Sequence, residues 1–509
     1  MKNKFIWPAY VLALGLSLSA CKNALDIEPQ QSIDAATGYS TSQKVAAAVV
    51  GAYARLDSPR LYGTDLILVP ELIGGNDYIN WDGTFQNYRQ LRNHTQISNN
   101  SNAEGIWTQA YDAINQCNLI LDNLGVVTDA GQKSQYEGEA SFIRGTMYFE
   151  LVRLYAQQYQ AGGNNTQVGV PINLVPVTTT AQADVKLARN TVEEVYAQVI
   201  KDLQNAIAKL PAQNITRASK YSAEAMLARV YLQQGNYTAA RAAANDVITN
   251  SGASLTGTVA AVFANRNSAE SLFEIQQNDQ NNAGTSNDGL ATYFAGYSPN
   301  GDQGVLYGRG DVSIQDIVTP ASGKHYSKNY YDNFTGFAAL YEPNDTRGAD
   351  TLSAIQTGKL IYVSDGNNRV GRLRTIKWRT YGQNIPVVRL AEMYLTRAEC
   401  DVRAGNTVSA LSDINRVRTR SGASPLTSVT IDNVLLERQL ELAFEGFRIH
   451  DLRRTNGVVI AAVPAQPAIG TTPATPFVPA VLANDARFIL PIPQREINNN
   501  PNLTQNAGY

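Results

Sequence analysis

The sequence predicts a mainly α-helical protein, a scaffold of paired helices interrupted by a loop-rich insertion with a few short strands. Three observations predict it. Long stretches repeat apolar residues at spacings of three and four, which lines one face of an α-helix. A helix–turn–helix pattern, Ala-x6-Gly-Asn-x3-Ala, occurs twice, at Ala228–Ala240 and Ala398–Ala410. Between about 251 and 384 the helical pattern gives way to Asn, Gly, Asp and Tyr with brief strand-like pieces.

The elements follow in chain order. Lys2 and Lys4 precede the apolar run Phe5 to Ala20, and Leu18-Ser19-Ala20-Cys21 ends it. Sixteen residues interrupted by a proline are short for a membrane span, which needs about twenty, so residues 1–20 read as a signal peptide. Small residues followed at once by Cys resemble a bacterial lipobox, which makes Cys21 the lipidation site; several acyl chains anchor a protein stably where one does not. Helices are predicted from Thr41 to Asp57, from Asn102 to Leu124 (Ile106, Ala110, Ile114, Cys117 and Leu121 on one face) and from Ser134 to Ala156 (Ala140, Ile143, Met147, Leu151, Leu154). Thr191 with Glu194 forms a capping box that opens another, and Pro211 closes it.

In the two repeated units each Gly-Asn falls between helical runs, where a positive φ ends the first helix, and each small Ala lets the paired helices approach closely. The pattern resembles the tetratricopeptide hairpin. Strand-like pieces lie at Ser271 to Ile275 and Leu360 to Val363, and a Pro/Ala/Thr-rich excursion at about 463–483. The helical scaffold is therefore expected at about 41–250 and 385–455, with the loop-rich insertion at about 251–384. Loops of that length usually bind something.

Composition narrows the function. With 42 basic and 44 acidic residues among 509, and 40 basic once Lys2 and Lys4 are removed, there is no basic stripe for nucleic acid. Three cysteines cannot form a disulfide framework, and Cys117 and Cys400 read as small buried apolar residues. His94, His325 and His450 are isolated, without metal-ligand spacing. There is no Gly-x-Ser-x-Gly elbow, P-loop or dinucleotide fingerprint, so neither a metal nor a cofactor is expected. Arg309-Gly310-Asp311 matches an adhesion tripeptide too short to use.

The remaining catalytic prospect is Glu437, Glu441 and Glu445, whose spacing of i, i+4 and i+8 puts them on one helix face. Paired carboxylates serve glycosidases. The alternative is structural, with Arg438, Arg448, Arg453 and Arg454 clamping the carboxylates in ion pairs.

Glu437-Arg438-Gln439-Leu440-Glu441-Leu442-Ala443-Phe444-Glu445-Gly446-Phe447-Arg448, the run from Ile385 to Glu399, Leu490-Pro491-Ile492-Pro493, the C-terminal Asn502 to Tyr509, Leu25 to Pro29 and the hairpin from Tyr221 to Ile248 together resemble the SusD/RagB family. They are spread over nearly the whole chain. The resemblance implies one SusD-like domain over 21–509, a mainly α fold of tetratricopeptide-like hairpins packed against an irregular, loop-rich ligand-binding half. It implies a nutrient-binding lipoprotein of the outer membrane, facing outward and serving a SusC-like TonB-dependent β-barrel transporter. The ligand would be an oligo- or polysaccharide, or a peptide as in the RagB branch, and there would be no enzymatic site. The competing class is a surface-anchored glycoside hydrolase.

A sugar offers a C–H-rich face and a rim of hydroxyls, so its site needs an aromatic platform beside amide, carboxylate or guanidinium groups. Asn76-Asp77-Tyr78-Ile79-Asn80-Trp81-Asp82 is the best local match: Trp81 would stack while Asp77 and Asn80 fix hydroxyls, unless Trp81 packs into the scaffold instead. Tyr293, Phe294 and Tyr297 beside Asn282, Asn287 and Asp288 form a second candidate. Arg372, Arg374 and Tyr381 form a third, with Trp378 expected in the core.

Overall fold

The computed structural model describes residues 35–75, 78–296, 308–314, 336–349, 358–363, 372–462 and 476–509. The signal peptide, Cys21, Asp77, Tyr297, His325 and most of the Pro/Ala/Thr-rich stretch lie outside the described residues.

Helix α1 (Ser42–Leu56) begins where Thr41 accepts a hydrogen bond from the Lys44 N–H. It is followed by α2 (Asp65–Ile73), strand β1 (Ile79–Trp81) and α3 (Gln86–Asn93). Then come α4 (Ser101–Asp122) and α5 (Ala130–Tyr155), whose predicted apolar faces are buried, Leu121 only partly. Helix α5 packs between α4 and α6 (Val192–Lys209), so its C-terminal half is buried almost all round. The α6 capping box forms as expected, with Thr191 and Glu194 satisfying each other's backbone N–H groups. The helix stops at Lys209 because Leu210, before Pro211, is held extended.

The two repeated units form α7 (Lys220–Gln234) with α8 (Tyr237–Asn250), and, later in the chain, a second hairpin whose helices span Leu390–Arg403 and Thr407–Arg420. Gly235 at φ +71° and Gly405 at φ +81° make the turns, a conformation that costs L residues about 1 kcal/mol or more. Ala228, Ala240, Ala398 and Ala410 are fully buried at the helix contacts. Although far apart in sequence, the hairpins stack: α8 lies against Leu390–Arg403. Arg241 Nε meets Asp401 Oδ1 at 2.6 Å and Arg397 Nη1 donates to Asn245 Oδ1 at 2.7 Å across that contact.

Between the hairpins lie β2 (Ser271–Ile275), α9 (Leu290–Phe294), β3 (Val312–Ile314), β4 (Ile361–Val363), β5 (Leu373–Thr375) and β6 (Ile385–Arg389). The second hairpin is then α10 (Leu390–Arg403) and α11 (Thr407–Arg420), followed by α12 (Ile431–Glu441) and α13 (Arg448–Thr455). The fold is mainly helical. The largest sheet among the described residues is antiparallel in the order β1-β3-β5-β4, with Trp81 opposite Val312 and Ile314 opposite Leu373. Strands β2 and β6 pair separately, Ile275 opposite Ile385. Trp378 is fully buried, as its flanks predict, and its Nε1 donates to the Phe444 carbonyl at 2.7 Å. Cys117 and Cys400 are buried too, and burial pushes both thiols up to about 12. No described helix is long and apolar enough to cross a membrane.

Candidate functional site

Just past strand β1 the chain passes through Gly83, where there is no room for a side chain. A Cβ at that position would lie 2.6 Å from the Trp81 ring and 2.8 Å from Asp311 Cγ. The close passage lets Asp82 N–H donate to the Asp311 carbonyl at 2.7 Å, extending the β1–β3 pairing.

Trp81 is not a surface platform. It is 5% exposed, wedged against Tyr88 with ring centroids 4.6 Å apart and against Tyr293 at 5.4 Å. Tyr293 is equally buried, and its hydroxyl donates to Asp288 Oδ1 at 2.8 Å. Burial, then the Asp288 carboxylate, pushes that hydroxyl well above its ordinary range. The expectation that Trp81 and Tyr293 offer open faces to a ligand is thus corrected. Strand pairing with β3 and the arrival of α9 from the insertion supply a core that the local sequence does not contain.

Polar and partly exposed groups lie around this aromatic base. Asn80 Nδ2 donates to Asp82 Oδ1 at 3.0 Å. Arg372, with its side chain 55% exposed, brings Nε to 3.9 Å from Asp82 Oδ2. Arg309 Nε pairs with Asp311 Oδ2 at 2.9 Å, and its guanidinium sits over Tyr293 and Phe85, 5.3 and 5.2 Å from the ring centroids. Phe85 is 45% exposed. Gly310 at φ +60° turns the chain between Arg309 and Asp311. Of the predicted residues, Asn80, Trp81, Tyr293 and Arg372 therefore gather here. Tyr381 is half-buried at the other end of the segment that carries α9, tight against Gly284, where a Cβ would lie 2.4 Å from its ring. Nothing in the local sequence marks Phe85 or Arg309 as a ligand contact. Phe85 was legible only as an apolar residue in the polar run after β1, and Arg309 only within its tripeptide.

The three glutamates of the hallmark block belong to a buried ion-pair network. Helix α12 ends at Glu441 and Phe444 takes φ +68°, so Glu445 lies beyond the helix, not on its face. The clamping residues also differ from those expected. Arg389 reaches Glu270 Oε1 at 2.9 Å, Glu441 Oε1 at 2.5 Å and Glu445 Oε2 at 2.7 Å. Arg347 binds Glu437 at 2.6 Å and Glu441 at 2.9 Å; Arg418 binds Glu437, Arg420 binds Glu441, and Lys377 binds Glu445. Arg438 instead pairs with Asp451, Arg454 with Glu399 and Asp451, and Arg453 with backbone carbonyls. Burial alone would push the Glu441 carboxyl up, but Arg420, Arg389 and Arg347 together hold it well below the ordinary carboxylate range. Such a group is a poor proton donor at neutral pH.

Comparisons with known proteins agree with this architecture. The family model described as SusD family matches residues 316–509, and one described as "Starch-binding associating with outer membrane" matches residues 25–232. SusD-like protein P2 of Formosa agariphila is 28% identical, with 98% of each chain covered. The starch-binding protein SusD of Bacteroides thetaiotaomicron is 25% identical, with 100% of each covered. A solved SusD superfamily protein from Bacteroides thetaiotaomicron superposes with TM-score 0.73 at 23% identity, over 92% of this chain and 99% of its own. Surface glycan-binding protein A of Bacteroides uniformis superposes with TM-score 0.70 at 22% identity, over 92% and 100%.

Proposed function

The chain belongs to the SusD/RagB family, and from that premise we propose that it holds a glycan polymer at the cell surface without reacting with it. The contact face is the one around Asn80, Asp82, Phe85, Arg309 and Arg372. One observation carries the reading: an exposed aromatic ring and two guanidinium groups stand beside an amide and a carboxylate on a packed aromatic base. Phe85 covers the C–H face of a sugar ring, and the polar groups bond its hydroxyls. Asp77 and Tyr297 flank this face in sequence and are further candidate contacts, as is Tyr381.

The starch-binding relative supports a glycan over a peptide. The absence of chemistry is supported by the state of the hallmark carboxylates, each already bonded to buried cations. Lipidation at Cys21 would tether the protein to the outer membrane, outward-facing, where a SusC-like TonB-dependent transporter receives the captured oligomer.

Affinity electrophoresis over plant, microbial and host polysaccharides, with peptides as a control, tests the reading. One glycan should retard the wild-type protein, and Phe85→Ala with Arg372→Ala should weaken retention by about tenfold at unchanged melting temperature. Equal retention of the variant, or retardation by peptides alone, would overturn it.

A further inference from the structure

A second concave site lies where the segment between α6 and α7 faces β2, and it shares no lining residue with the face around β1. It is a cavity of about 430 Å³, bordered by Gln213, Asn214, Ile215, Tyr221, Ser268 and Glu274. That size falls within the range of small-ligand sites. We propose that this cavity is a second binding site for a neutral, polyhydroxylated ligand of the oligosaccharide class. The proposal is independent of the reading of the first face.

Three features point to that chemistry. The first is Glu274, a carboxylate 5% exposed on β2. Its Oε2 accepts from the Asn267 N–H at 2.8 Å and from Asn384 Nδ2 at 2.9 Å, which fixes the group. Its Oε1 is buried and has no hydrogen-bond partner among the described residues. A buried acceptor left open beside a cavity is costly unless a donor arrives. Arg217, also at the wall, is paired with Glu139 at 3.4 Å, so among the described lining residues no free cation is left to draw in an anion, and a neutral ligand that donates hydroxyl hydrogens suits Glu274.

The second feature is the rim. Asn214 and the Tyr221 hydroxyl make no hydrogen bond to any described residue, so an amide and a phenol are available to sugar hydroxyls. The third is apolar: Ile215 is 80% exposed at the cavity mouth, where it can cover the C–H face of a ring. An adjoining cleft of about 560 Å³ shares Ala253 and runs on past Leu255, Tyr394 and Arg416. The continuation favours an oligomer over a single sugar.

Methyl-labelled isoleucine NMR of the whole chain tests this, with Ile215 as the reporter. Maltotriose, cellotriose and xylotriose are each titrated to tens of millimolar. At least one should move the Ile215 methyl resonance saturably. Asn214→Ala or Tyr221→Phe should weaken that response roughly fivefold, and Glu274→Gln should weaken it too if that variant folds. Phe85→Ala with Arg372→Ala should leave it intact, which separates this site from the first. The proposal fails if no trisaccharide moves Ile215, or if Asn214→Ala and Tyr221→Phe respond like the wild type.

Discussion

Replacing Arg389 with Met removes the cation on which three buried carboxylates converge. Its five donor contacts run to Glu270, Glu441 and Glu445, at 2.5 to 2.9 Å, including the Glu441 carbonyl. All three acids are nine-tenths or more buried. After the change Glu441 keeps Arg347 and Arg420, Glu445 keeps Lys377, and Glu270 keeps Arg420. The buried network is nevertheless short of one positive charge and five donor contacts, and breaking a buried pair costs roughly 3 to 5 kcal/mol. Unfolding entropy of about 2.1 cal/mol/K per residue makes the slope near 1 kcal/mol per degree for a chain of this size. Scanning calorimetry should therefore show the melting temperature falling by about 3 to 5 °C. Arg389→Lys should recover part of that loss, since a point charge cannot reproduce the fork. In a double-mutant cycle with Glu445→Gln the pair should couple by about 1 to 3 kcal/mol. A melting temperature unchanged in Arg389→Met, or full additivity in the cycle, would refute the network as a source of stability.

Trp81→Ala should cost about 3 to 5 kcal/mol in urea unfolding, because it empties a ring-lined core position; an unchanged midpoint would restore Trp81 as a surface platform. Gly83→Ala should destabilise by about 1 to 3 kcal/mol, since its Cβ would meet the Trp81 ring and Asp311; wild-type stability would show that the β1 turn has room to give. For Asp451, burial raises its pKa, but Arg438 and Arg454 more than offset this and lower it from 3.8 to about 2. The folded value is depressed, so the contribution of about 2 kcal/mol is fully present above the ordinary pKa and lost as pH falls through about 2. The stability gap between wild type and Asp451→Asn should accordingly close in that acid window, whereas a gap constant with pH would contradict it.

Local rules made much of the scaffold readable. Thr41 and Thr191 cap helices through bonds to residues three positions on, and Gly235 and Gly405 turn hairpins by a conformation other residues avoid. Trp378 was readable as core from its alternating flanks. What depends on distant chain was not readable. Trp81 sits after two glycines in a polar run, and its burial comes from Tyr293 and the β3 pairing, both supplied from the insertion. The arginines close to Glu437 and Glu441 in sequence proved to serve Asp451 and Glu399, while the true partners Arg347, Arg389, Arg418 and Arg420 come from other elements. The presence of an ion-pair network was foreseeable from the glutamates and arginines crowded between 437 and 454; its wiring needed the fold. Phe85 and Arg309 stand together only because Gly83 and Gly310 bring the two turns close.

Holding a polymer without cutting it makes one direct demand on the purified protein. When it is incubated with the polysaccharide that retards it in the gel, reducing ends should stay at the level of the buffer control however long the incubation runs. A steady release that scales with protein concentration would contradict the account.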